Sequence, residues 1–247
     1  NLAKASEKFG RGEDVGEFRP SGAQEIRQAG FEFDRMRKRI LRHLNQRSEM
    51  LSGISHDLRT PLTRIKLQLA FIKDNKISNK LSEDIDEMEK MLNEYLQFAS
   101  STSSEKDELF DISKTIETLI KKYNNSLITL NIEKNITFNG RKNLMVRCIS
   151  NVIDNALKYG KKVKFSIKKL SKIIVITIED DGPGVPKSEY GNVFKPFYKI
   201  NKGRGDSKSS VGLGLSIASD VVRSHGGKID LNKSKFGGLS VKISLPF

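Results

Sequence analysis

Leu51-Ser52-Gly53-Ile54-Ser55-His56-Asp57-Leu58-Arg59-Thr60-Pro61-Leu62-Thr63-Arg64-Ile65-Lys66-Leu67-Gln68-Leu69-Ala70-Phe71-Ile72 places apolar residues at Leu51, Ile54, Leu58, Leu62, Ile65, Leu69 and Ile72. Steps of three and four residues bring side chains onto one side of a helix, so this stretch reads as a helical seam. A second seam, Leu81, Ile85, Met88, Leu92, Tyr95 and Ala99, follows the polar segment from Asp74 to Ser78. Ser78 is the expected N-cap of that second helix, and residues 33–100 read as an antiparallel hairpin. Two helices cover one seam poorly, so an intermolecular four-helix bundle in a homodimer is expected to complete it. Upstream, residues 1–30 are polar and weakly periodic, and they lead through Pro20, Gly22 and Glu25 into the basic stretch from Arg35 to Arg42. They read as a connector entering the first helix.

Downstream the periodicity stops at Ser100-Ser101-Thr102-Ser103-Ser104, the expected hinge between two domains. Beyond it, helix-like segments (Ile112 to Lys122, Leu144 to Tyr159, Leu213 to Ser224) alternate with strand-like ones. The strands are Leu127 to Ile132, Val163 to Lys169, Ile173 to Glu179 and two closing strands near Ile229 and Val241. Such alternation predicts an α/β sandwich. Residues 201–212, rich in Gly and Lys, are expected to form a mobile loop. The formal net charge of +14 falls unevenly, with 18 basic and 16 acidic residues in 1–104 against 26 and 14 in 105–247. The excess lacks aromatic interleaving or a DNA-reading motif, so no nucleic-acid partner is expected. The single cysteine, Cys148, reads as a buried structural thiol. No apolar run spans a bilayer, and Asn1 to Gly10 lacks the apolar stretch of a signal peptide, so the chain as given is not expected to be targeted or anchored by itself.

Four groups of residues carry chemistry. His56 lies on the first helix, where Pro61 cannot donate to the Asp57 carbonyl and should bend or loosen the helix nearby. Asp57 can hold a neutral imidazole and accept positive charge as a bond forms on nitrogen. Asn151, Asn155 and Lys158 share a helical face, and an amide oxygen such as that of Asn155 suits Mg2+, which takes few protein ligands besides phosphate oxygens. Asp180-Asp181-Gly182-Pro183-Gly184 follows a β-branched strand, so backbone can approach a flat ligand there while a carboxylate accepts from an amine. Gly212-Leu213-Gly214-Leu215 opens a helix whose free N–H groups suit phosphate. Between these last two lies Val193-Phe194-Lys195-Pro196-Phe197-Tyr198-Lys199, expected to anchor one end of the mobile loop.

The order of these blocks resembles the H, N, G1, F and G2 boxes of sensor histidine kinases, over about residues 48–247. The segment Ser55 to Ile65 looks most like the osmosensing members, and Gly22 to Met36 resembles the end of a HAMP signal relay. The resemblance implies four segments: a partial HAMP relay and linker in 1–37, a dimerisation and histidine-phosphotransfer hairpin in 38–100, a hinge in 101–105 and a catalytic ATP-binding domain of the GHKL (Bergerat) type in 106–247. It implies autophosphorylation of His56 from ATP and transfer to an aspartate of an OmpR-like response-regulator receiver, with phosphatase activity toward that regulator. Asp57 would act as base or orienting partner, and Thr60 would position water. Asn155 would bind Mg2+, with Asn151, Lys158 and Tyr159 near the triphosphate. Asp180 would receive the adenine amine between Gly182 and Gly184. Lys199 would reach the γ-phosphate, and Gly212, Leu213 and Gly214 would line the lid. Ser210 stands where the family usually has another Gly. The resemblance also implies upstream membrane-spanning segments, making this chain the cytoplasmic portion of a protein anchored in the bacterial inner membrane. Two other readings compete: an ATPase of the related gyrase and heat-shock class, which lacks the His56 block on a hairpin, and a scaffold that has lost ATP use.

Overall fold

The computed structural model describes residues 2–10, 15–16, 19–69, 71, 75–99, 105–123, 127–200 and 211–247; within its helices, the side chains of residues 44, 47, 48, 51, 52, 55, 56, 75, 76, 94 and 96–99 are not described. The Ser-rich hinge at 100–104, the loop at 201–210 with Ser210, and the side chain of His56 therefore lie outside the described residues. By contacts the chain divides into two units, one of residues 19–103 and 207–213, the other of residues 1–18, 104–206 and 214–247.

The first unit is a pair of long helices, α2 (Gln24–Leu69) and α3 (Asn75–Ala99). The sequence placed the start of α2 nine residues late. Gly30 costs a helix little enough to be carried inside it, and Asp34 adds local support by pairing with Arg37 at 2.8 Å and Lys38 at 2.8 Å. Pro61 is accommodated within one continuous helix. Antiparallel packing follows from the contacts: Arg59 Nη2 donates to Asn93 Oδ1 at 3.2 Å, and Lys66 Nζ bridges Asp86 and Glu89. Leu62, Leu69 and Ile85 close the seam between the helices. The expected N-cap role of Ser78 is corrected. Ser78 lies within α3, and its hydroxyl donates to the Leu69 carbonyl at 2.9 Å, satisfying an orphan acceptor at the end of α2 instead.

The second unit includes a short helix, α1 (Leu2–Gly10), in the stretch read as a connector. Its main sheet has the order β2 (Ile128–Ile132), β4 (Val163–Leu170), β5 (Ile173–Asp180), β7 (Leu239–Pro246), β6 (Lys228–Lys233), with β2 and β4 parallel and the other pairs antiparallel. Phe165, Ile167, Ile174, Ile176, Ile178, Ile243 and Leu245 alternate onto its buried face. Three helices contribute the other half of the buried apolar set: α4 (Ile112–Ile120), α5 (Lys142–Tyr159) and α6 (Gly214–Ser224), through Ile116, Ile149, Val152, Ile217 and Val222 among others. The opposite phase of β4 carries Lys164, Ser166 and Lys168, so part of the positive charge is spread over strand residues as the sequence suggested.

Two strands escaped the sequence reading. β1 (Glu108–Asp111) pairs with β3 (Thr137–Gly140) in a separate ribbon whose centre is an edge-to-face contact of Phe110 with Phe138. Four residues each is too short for a period of two to declare itself.

Candidate active site

Strand β5 ends in two adjacent carboxylates with different work to do. Asp181 Oδ1 accepts from the backbone N–H groups of Lys161 at 2.6 Å and Lys162 at 2.9 Å, tying the end of β5 to the turn after α5. Those two bonds hold its carboxyl below the usual range. Asp180 is buried, and its Oδ1 accepts from the Gly182 N–H at 2.9 Å and the Leu239 N–H at 3.1 Å. Burial pushes its pKa up, with the two backbone bonds opposing that shift. Both bonds fall on Oδ1, so Oδ2 is the oxygen suited to a donor on a ligand.

The glycines around Asp180 mark where backbone stands in for side chains. A methyl group on Gly182 would lie 2.7 Å from the Tyr159 carbonyl, and one on Gly160 2.9 Å from Asp181 Oδ1. Gly184 adopts φ +71°, facing the carbonyl of Gly238. Gly238 itself, in the turn between β6 and β7, is packed so tightly on Asp180 that any side chain would overlap the carboxylate. Asp181 lay in the quoted Asp-Gly block without a role of its own, and Gly160 and Gly238 were not singled out from sequence. The Gly237-Gly238 pair between the closing strands was the available signal for the last.

Helix α5 joins this pocket to the polar stripe. Its C-terminal residue, Tyr159, meets Gly182, and Lys158 Nζ lies 5.3 Å from the Tyr159 ring centroid. Asn151, Asn155 and Lys158 are all partly buried on the predicted face, whereas Asp154 lies to the side and accepts from Tyr123 Oη at 2.9 Å. Gly214, the first residue of α6, packs against Asn151, where a Cβ would lie 3.7 Å from its carbonyl oxygen. Gly212, at φ +81°, and the buried Leu213 lead the chain into that helix. Thus Tyr159, Gly182 and Asp180 approach one another directly, Gly184 joins them through Gly238, and Asn151 and Gly214 form a second contact along α5. Lys199 is exposed, and among the described residues no hydrogen bond or ion pair ties it to the stripe. The anchor in its segment is Tyr198, whose hydroxyl donates to Glu189, which also accepts from Asn192 at 3.0 Å; Phe197 is exposed at φ +64°.

On α2, Asp57 and Thr60 are exposed, and Thr60 follows position 56 by four residues, about one helical turn.

Comparison with known proteins separates the kinase reading from the gyrase-like one. Residues 140–247 match the family model described as histidine kinase-, DNA gyrase B- and HSP90-like ATPase, which by itself fits a kinase and a gyrase-like machine equally. Residues 46–104 match the His Kinase A (phospho-acceptor) domain, and that match contains His56. The chain belongs to the sensor histidine kinases. Among these kinases it is 33% identical over 248 residues to the sensor histidine kinase GtrS of Pseudomonas aeruginosa, a match spanning 99% of this chain and 51% of that protein. It is 30% identical over 246 residues to CpxA of Escherichia coli, spanning 92% of this chain and 52% of that protein. The chain thus spans about half the length of these curated relatives. The crystal structure of full-length ShkA with AMPPNP has the same fold over 81% of this chain and 46% of its own, with a TM-score of 0.66 at 19% identity. A helical phospho-acceptor domain followed by an α/β sandwich is therefore the architecture of this histidine kinase. No described helix is long and apolar enough to cross a membrane.

Proposed function

We propose that the chain uses ATP to phosphorylate His56 and passes the phosphoryl group to an aspartate of a response-regulator receiver, OmpR-like by resemblance. The observation that carries this reading is the presence on one chain of a phospho-acceptor hairpin and a pocket ending in Asp180. The base sits with its amine on Asp180 Oδ2. The phosphates run along α5 past Lys158, Asn155 and Asn151 to the N-terminus of α6, where unpaired N–H groups favour anions. Asn155 offers one hard amide oxygen on a stripe that phosphate oxygens would share, a donor set that fits Mg2+. Bound there, Mg2+ would neutralise phosphate charge.

A ring nitrogen of neutral His56 attacks the terminal phosphorus. The N–P bond forms as the bond to the bridging oxygen breaks, ADP leaves with the electron pair, and Asp57 takes the ring proton. Thr60 positions water for the reverse task, hydrolysis of the regulator's phosphoaspartate. The segments carrying these roles are 1–37 as HAMP end and linker, 38–100 as hairpin, 101–105 as hinge and 106–247 as catalytic domain. Homodimerisation covers Ile54, Leu58, Ile65, Leu81 and Met88, all exposed on the two helices. Upstream segments absent here would anchor the protein in the inner membrane, leaving this portion in the cytoplasm.

The test is incubation with γ-labelled ATP and Mg2+, comparing the unsubstituted chain with His56→Gln. Acid-labile, alkali-stable label lost in the variant is the expected result. Nucleotide binding without label would favour a protein biased toward phosphatase action, and neither binding nor label would favour a scaffold.

A further inference from the structure

Arg147 stands one turn before Asn151 on α5, and at roughly 3.6 residues per turn Arg147, Asn151, Asn155 and Lys158 fall within an arc about 80° wide. Nε and Nη2 of Arg147 are buried, as is Nδ2 of Asn151, and none of the three has a hydrogen-bond partner among the described residues. The carboxylate nearest in sequence, Asp154, is engaged by Tyr123. Two guanidinium nitrogens shielded from water without an acceptor are costly even on a half-buried arginine, and burial accounts for the lowered pKa of Arg147. Two successive turns of one helix therefore present unsatisfied donors in the same direction, a pattern that an anion with several acceptor oxygens would relieve.

The direction of the site says which part of a nucleotide this would be. The base end is fixed at the C-terminus of α5, where Tyr159 meets Gly182 beside Asp180. Moving toward the helix N-terminus the stripe passes Lys158, Asn155 and then Asn151, which is in contact with the start of α6. Arg147 comes next, about 12 Å along the axis from Asn155, and so lies farthest from the base.

Resting on the nucleotide reading above, we infer that Arg147 is a ligand of the terminal phosphate and makes the pocket distinguish ATP from ADP. A planar guanidinium can hold two oxygens of one phosphate, and it loses them when that phosphate departs.

The full chain is titrated calorimetrically with AMPPNP and with ADP in Mg2+, unsubstituted and as Arg147→Gln and Arg147→Lys. The Gln variant should bind AMPPNP about tenfold more weakly while its ADP affinity stays within about twofold, and Lys should recover part of the difference. Equal losses for the two nucleotides, or no loss for either, overturn the inference. So does a lowered melting temperature with an unchanged AMPPNP-to-ADP ratio, since Arg147 would then serve only the fold. Failure of the unsubstituted chain to bind either nucleotide is a separate result that sinks the nucleotide reading itself, and this inference with it.

Discussion

Gly238 holds the Asp180 carboxylate in place by having no side chain: its backbone closes over Oδ1 while the next N–H, from Leu239, donates to that oxygen at 3.1 Å. Two elements separated by 59 positions in sequence thereby fix which carboxylate oxygen is left for a ligand. Replacing Gly238 with Ala should displace Asp180 and weaken ATP binding more than tenfold, equivalent to at least about 1.4 kcal/mol. Gly191→Ala is the control, because open space surrounds that position, and it should alter stability by no more than about 0.5 kcal/mol. Calorimetric titration with a parallel thermal melt checks both.

Glu105 supplies the cap that α5 lacks locally. Arg141 occupies the N-cap position without a side-chain hydrogen bond, while Glu105 accepts from the N–H groups of Asn143 at 2.8 Å and Leu144 at 3.3 Å. Glu105→Ala should cost about 1 kcal/mol, and Glu105→Gln less, because an amide oxygen still accepts. The loss is read as a fall in the denaturant midpoint at unchanged slope.

His225 predicts a pH dependence. Its Nε2 accepts from the Arg141 N–H at 3.0 Å, while Nδ1 lies 2.7 Å from the Val221 carbonyl, so the neutral ring satisfies both contacts. Burial lowers its pKa most, and nearby Arg141 lowers it further; the Val221 carbonyl, Asp107 and Glu105 oppose the shift. With the folded pKa below the unfolded value near 6.5, the unfolded chain binds the proton first. Stability from this group is complete above that value and is lost as pH falls through it toward the folded pKa. Melting temperatures measured from pH 7 down to pH 5 should therefore decline, and decline less steeply in His225→Gln. An equal slope in both proteins would remove His225 as the cause.

The helical seam predicts an oligomer. Leu58 and Ile65 are 46% and 44% exposed although they belong to the periodic apolar set, whereas Leu62 and Leu69 between and beyond them are buried within the pair. Leu58→Glu combined with Ile65→Glu should convert a dimer to a monomer in sedimentation while leaving the helical circular dichroism within about a tenth of its original value, since both positions are already wet in the single chain.

The sequence reading succeeded where a local pattern carried the information. The three-and-four spacing from Leu51 announced α2, and the β-branched run ending at Asp180 announced both the strand and the carboxylate at its tip. It failed where a partner is remote. Ser78 resembles a cap because Ser usually caps its own helix, yet the carbonyl it serves belongs to the preceding one. Leu239, Glu105 and His225 act on groups 59, 38 and 84 positions away, a pairing that no window of sequence displays. The polar face of α5 was legible as far as Asn151 because it repeats polar residues. Arg147 was passed over because its place on that face shows only once two of its guanidinium nitrogens are seen to be buried without a hydrogen-bond partner among the described residues.

Helix α5 is capped at one end by the segment that enters the domain and meets the candidate base site at the other, some 27 Å away along 18 residues. One ladder of hydrogen bonds runs between them, so fraying the first turn and gripping a nucleotide draw on the same cooperative element. Amide exchange at Asn143 and Leu144 then becomes a gauge of occupancy read from the far end of the rod: a slower signal there would register ligand at Tyr159 before any phosphate is transferred.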